Sequence, residues 1–144
     1  MQEPENTLIQ IDYPTLKAID TYLETFYETH YATGKKHNIG QMMFDNKLGT
    51  TQVRGLERLA FSSTRFSQLI NYVKNQAGKE KKKQWSVVAP ELIGQLETLE
   101  NKAHDLGKNH PALVLDIKMK LARGLIKMIV ASYYYQSKQD KESQ

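Results

Sequence analysis

The chain has 144 residues, with 20 Lys and Arg against 16 Asp and Glu, a formal charge of +4 at pH 7 and no cysteine. That length is one ordinary domain, long enough to bury about two-thirds of its surface in a single core. The missing thiols exclude disulfide scaffolds, thiolate zinc sites, iron–sulfur clusters and cysteine nucleophiles. No stretch reaches the ~18 consecutive apolar residues of a membrane span; the longest apolar cluster, Leu125–Tyr135, is broken by Lys127 and Ser132. The opening Met1-Gln2-Glu3-Pro4-Glu5-Asn6 is acidic and polar, which reads as neither a secretory signal nor a transit peptide. The expectation is a soluble, cytoplasmic domain with no membrane partner.

Residues 1–13 read as a flexible N-terminal segment. Asp12-Tyr13-Pro14 then predicts a helix start, because the carboxylate can accept from orphan amides while Pro lacks the one it would strand. Leu16, Ile19, Leu23, Phe26, Tyr27 and His30 recur at three- and four-residue steps, giving a helix over 14–33 that Gly34 stops. Residues 35–49 have no settled period and read as a loop, yet Met42, Met43 and Phe44 are apolar. Two readings follow: a loop that tucks these side chains onto the core, or a mobile flap whose apolar tip meets a partner.

A second helix opens at Thr50-Thr51 and runs to residue 77, either unbroken or split at Ser62-Ser63-Thr64. On one wheel, Leu56, Leu59, Ala60, Ser63, Phe66, Ile70, Val73 and Ala77 share a face. Arg54, Arg58, Phe61, Arg65, Gln68 and Tyr72 fall opposite. After Gly78 comes the basic run Lys79, Lys81, Lys82 and Lys83, and then the short apolar run around Trp85. A third helix is expected from Pro90, with a seam of Leu92, Leu96, Leu99, Ala103 and Leu106 closed by Gly107. The last begins near His110-Pro111 and carries Val114, Ile117, Leu121, Leu125, Met128 and Ser132 on one face. Residues 137–144 lack any apolar side chain and read as a disordered tail. With no strand alternation anywhere, the fold class expected is all-α, a compact bundle of four to five helices over 14–136.

Charge is sorted by segment. Net charge is −5 over residues 1–34, +2 over 35–50, +6 over 51–83, −3 over 84–107 and +4 over 108–144. Either the acidic and basic helices pair with one another, or the basic ones assemble a face for a phosphate backbone. The row Arg54, Arg58, Arg65, opposite the apolar stripe, favours the second, since a guanidinium can donate two parallel hydrogen bonds to phosphate. Lys120, Arg123 and Lys127 repeat that spacing on the last helix, and Lys79, Lys81, Lys82 and Lys83 add a basic stretch. Tyr133-Tyr134-Tyr135 must point three ways, either anchoring the last turn or offering a ring on which a base can stack.

No catalytic constellation emerges. The four histidines, His30, His37, His104 and His110, contain no His-x-x-x-His step. Glu100 and His104 share a helix face, but a carboxylate-bridged di-metal site needs several such ligands from different helices. Glu24 and Glu28 read as a solvated pair. Gly-rich phosphate loops, Gly-x-Ser-x-Gly elbows and His-Glu-x-x-His motifs are absent from the sequence. The expectation is a protein that is not an enzyme, with no metal and no cofactor.

Thr50-Thr51-Gln52-Val53-Arg54 resembles the Thr-Thr/Ser-x-Ile/Val-Arg element that opens an early helix in the Csm-type small subunit of type III CRISPR effector complexes. Ile129-Val130-Ala131-Ser132-Tyr133-Tyr134-Tyr135 is similar to that family's closing helix, Ala-Ile-Val-Ala-Tyr followed by further aromatics. Lys79–Trp85 stands where the family has a Lys-Leu-Ala-Tyr stretch. The resemblance implies a non-catalytic subunit of a ribonucleoprotein used in antiviral defence. It would stack head to tail on its own copies beside other effector subunits, touching the guide RNA and target RNA through phosphates. Arg54 matches the motif arginine; Arg58, Arg65, Lys120, Arg123 and Lys127 come from face and charge alone. The alternative is a helical protein-interaction or dimerisation adaptor without nucleic acid.

Overall fold

The computed structural model of the chain describes residues 10–79 and 84–142. Lys81, Lys82, Lys83 and most of the segment 1–13 lie outside the described residues. Six α-helices make up the described fold, with no strand among them: α1 (Tyr13–His30), α2 (Ile39–Asp45), α3 (Thr50–Ser62), α4 (Phe66–Lys79), α5 (Gln84–Leu106) and α6 (Val114–Glu142). A 3₁₀ turn, Pro111–Leu113, leads into α6. The all-helical expectation holds, and four to five helices becomes six. At 29 residues, α6 is about 43 Å long and forms the post against which the other five helices pack.

Asp12 caps α1 through a 2.8 Å bond from the Thr15 amide to its carboxylate. The same contact holds its pKa below the usual carboxylate range. The helix ends at His30, three residues short of expectation, because Tyr31 turns inward. Its buried hydroxyl donates to Gln95 Oε1 at 2.6 Å, and burial pushes its pKa up. Gly34 does take a positive φ of +87°, but in the turn beyond the helix. Ile11, within the segment read as flexible, is partly buried against the core.

The stretch 35–49 is not a bare loop. Asn38 caps α2 by accepting from the Gln41 amide at 3.0 Å. Ile39 and Met43 are completely buried, and Met42 and Phe44 pack half-buried on the core. The helix is legible only in three dimensions, because its seven residues, about two turns, rest on α6. Gly40 sets that approach: a Cβ there would lie 2.7 Å from Ser132 Cβ and Tyr133 N and would strike the Ile129 carbonyl. Ser132 Oγ donates to Asn38 Oδ1 at 2.8 Å, and the Tyr133 hydroxyl donates to Leu48 O at 2.7 Å.

Of the two options for residues 50–79, the split is the one adopted. Ser63 has extended backbone angles and ends α3. Gln68 Oε1 then accepts from the amides of Thr64 and Arg65 at 3.2 and 3.1 Å, starting α4. The break re-phases the second half. Leu69 is buried, and Tyr72 sits edge-on to buried Trp85 with centroids 6.2 Å apart. Gln68 and Tyr72 therefore leave the outer face on which a single wheel places them.

The third expected helix starts at Gln84, six residues before Pro90. A proline inside a helix costs about 3 kcal/mol, but Trp85, Val88, Ala89 and Leu92 form a continuous buried stripe. Burying a side chain such as Val88 returns about 1.5–3 kcal/mol. The expected tail is likewise helical as far as Glu142. Extending a formed helix costs little per residue, and Gln, Lys and Glu propagate one well.

Two glycines should behave oppositely. Gly40→Ala, forced against α6 backbone, is expected to lose about 1–3 kcal/mol. Gly94→Ala, on an exposed turn of α5 with nothing within 4 Å of the added carbon, should gain up to about 1 kcal/mol; thermal denaturation of both variants checks the contrast. His30 offers a pH test. Burial pushes its pKa down, and the positive field of His37 adds to this. The unfolded chain then takes the proton first, so stability falls as pH drops below about 6.5. Urea midpoints at pH 7.5 and 5.5 should differ more for the native chain than for His30→Gln.

Candidate nucleic-acid interface

Three cross-links set α3 antiparallel beside α6. At one end Arg54 Nε donates to the Tyr134 hydroxyl at 3.2 Å. Further along, Lys127 Nζ lies 5.5 Å from the centre of the exposed Phe61 ring. At the other end Arg123 Nε donates to Ala60 O at 3.0 Å, and its Nη2 donates to Ser63 O at 3.1 Å. Arg54 and Arg58 of α3 and Lys120 and Lys127 of α6 are all solvent-exposed. No ion pair among the described residues engages any of the four.

Arg123 does something else. Expected as a phosphate ligand, it is half-buried and spends two of its nitrogens on carbonyls that the end of α3 leaves without helical partners. The Lys127 ammonium stands over the exposed Phe61 ring, a cation–π placement worth on the order of 0.5–1 kcal/mol at such a site.

The remaining candidates lie off the seam. Arg65 stands in the α3–α4 connection and opens onto a cleft of about 370 Å³ that also holds Glu97, Glu100 and Lys118. It therefore faces the acidic side of α5. Lys79 closes α4 at an exposed end, and α4 packs mainly on α5. The structure thus leaves Arg54, Arg58, Lys120 and Lys127 exposed on the paired helices α3 and α6, reassigns Arg123 to structure and places Arg65 and Lys79 elsewhere.

Sequence reasoning missed Tyr134 as the partner of Arg54, and Lys138 as an extension of the lysine row. Lys120, Lys127 and Lys138 are seven and eleven residues apart, two and three helical turns, so they share one line on α6. That register is readable once α6 is known to run past residue 137. The three tyrosines do point three ways. Tyr133 is buried, Tyr134 is half-buried under Arg54, and Tyr135 is 66% exposed.

Elsewhere Glu100 is taken by Lys118, its carboxylate 2.9 Å from the ammonium. No group of three or more His, Asp or Glu among the described residues is arranged to hold a metal ion. No helix among the described residues is long and apolar enough to cross a membrane. No family model, curated protein or solved structure matches the chain.

Arg123→Met, which keeps the apolar stem but strands both carbonyls, is expected to destabilise the fold by about 1.5–3 kcal/mol in urea unfolding. An arginine reserved for an external ligand would cost almost nothing on removal.

Proposed function

We propose that the chain is a non-catalytic RNA-binding subunit that holds the sugar-phosphate backbone along the α3–α6 seam. In this reading it is the small subunit of a type III CRISPR effector ribonucleoprotein, as the resemblance at Thr50–Arg54 and Ile129–Tyr135 suggests. The observation that carries the proposal is the state of Arg54, Arg58, Lys120 and Lys127. Four cations of two rigidly joined helices stand in water with no carboxylate of the described chain to neutralise them. Such a row takes up phosphates by displacing their counterions and reads no base sequence.

The outer face of α1 supports the self-stacking part. Asp20, Glu24 and Glu28 are exposed on it, four residues apart and therefore on one line of the helix. An acidic row on one copy complements the basic seam of the next. Within an assembly the seam would divide its length between a neighbouring copy and the RNA.

The test is fluorescence anisotropy of a single-stranded RNA oligonucleotide with the isolated protein across a salt series. Affinity should fall steeply with salt, and Arg54→Glu/Arg58→Glu should flatten the log–log slope by roughly 1.4, two lost phosphates at about 0.7 each. An unchanged slope in a folded double variant would defeat the proposal. Salt-sensitive self-association without RNA binding would favour the adaptor reading instead.

A further inference from the structure

Beside the lysine row of α6, on the flank away from α3, lies a cleft of about 610 Å³. Its walls are the last turn of α1, the turn at Ala32–Lys35, the start of α2, and the stretch of α6 from Met128 to Gln136. The volume lies within the range of small-molecule sites. What it offers is planar and amphipathic. Tyr27 enters from α1 and Tyr135 from α6; both rings are substantially exposed, at 41% and 66%. Neither hydroxyl has a hydrogen-bond partner in the described chain. The Gln136 amide and the Lys35 ammonium are likewise uncommitted at the rim, whereas the polar groups deeper in are spent: Asn38 on the Gln41 amide and Ser132, Tyr31 on Gln95.

We propose that this cleft is a nucleobase subsite. One base of the bound RNA strand leaves its stack and lies against Tyr135 and Tyr27, its edge within reach of the Gln136 amide, while Lys35 pairs with an adjoining phosphate. The inference rests on the backbone-binding reading above and adds a contact that phosphate binding does not require. Position is the first support. Ala131 lines the cleft and stands one turn past Lys127 on α6, between it and Lys138, so a strand following the lysines passes the mouth. Chemistry is the second. A π-face, an amide and an ammonium together suit a nucleotide, because a splayed base stacks on aromatic rings and bonds through its edge. A purely apolar peptide would leave the amide and ammonium unmatched. Because every base has a π-face, stacking here confers little sequence preference.

The experiment compares a uridine or adenosine oligonucleotide with the same oligonucleotide carrying abasic sites, using the native chain and Tyr135→Leu and Tyr27→Leu. Tyr135→Leu should weaken binding about 5- to 150-fold, the range of one base–aromatic stack, and leave the salt slope unchanged. The abasic oligonucleotide should lose a similar factor on the native chain and nothing further on Tyr135→Leu. Both variants alter exposed rings, and circular dichroism verifies their fold. Salt-dependent binding that ignores both the abasic sites and the tyrosine substitutions overturns the subsite while sparing the backbone reading. Absence of any RNA binding by the native chain overturns both.

Discussion

The bond pair from Arg123 to the carbonyls of Ala60 and Ser63 is the constraint on which the rest of the arrangement depends. A helix that stops in the interior leaves carbonyls with no partner, and burying one unsatisfied costs about 1–3 kcal/mol. Here a charged donor from α6 supplies the partners, so the chain can end α3 at Ser62 against its neighbour. Gln68 does the matching work on the far side, accepting the amides that open α4. The bend frees α4 to lay Leu69 and Val73 into the core and Tyr72 against Trp85. It also fixes where α3 sits along α6, and so the register in which Arg54 and Arg58 meet the lysine row.

That register has an electrostatic logic. Lys120 and Lys127 are two turns apart, roughly 10.5 Å along the axis, which exceeds the screening length of about 8 Å at physiological ionic strength. Their mutual repulsion therefore costs the fold little, yet each remains able to exchange a counterion for a phosphate. Arg54 is steadied by the Tyr134 hydroxyl, an acceptor that orients the guanidinium without neutralising it. A carboxylate in that place would have tied the arginine more tightly and cancelled its field.

The helices that carry their own apolar stripe could be read from the chain. The stripe of α1, the Leu92–Ala103 seam of α5 and the inward face of α6 needed only a 3.6-residue period. What escaped that reading depends on contacts between residues far apart in sequence. The short α2 exists because Gly40 lets it lie against α6, and no local pattern announces that. The start of α5 escaped because Pro90 is a strong local stop signal, overruled by the burial of Trp85 and Val88. The site divided along the same line. Exposure of Arg54 and Arg58 followed from their position opposite the apolar stripe, and that of Lys120 and Lys127 from the spacing that repeats it on the last helix. Arg123 shares that spacing but lies about 40–60° round the helix from the two lysines, on the side where carbonyls sixty or more residues upstream in sequence capture it. Arg65 moved when the helix broke beneath it.

The sorting of charge by segment admitted two explanations, and the internal ion pairs weigh between them. Were the acidic and basic helices neutralising each other, the cross-helix pairs would run from α1 and α5 to α3 and α6. Among the described residues one lysine–carboxylate pair does so, Lys118 of α6 with Glu100 of α5, while Lys102 and Asp105 pair within α5. The acids of α1 and the cations of the seam stay outward and apart. Exposed pairs contribute little to stability in any case, about 0–1 kcal/mol each, so folding did not require the separation. A surface that keeps its two signs on different faces gains nothing as a monomer. In the proposed subunit it would gain a preferred direction on meeting a second copy, and a track of one sign where a polyanion would lie.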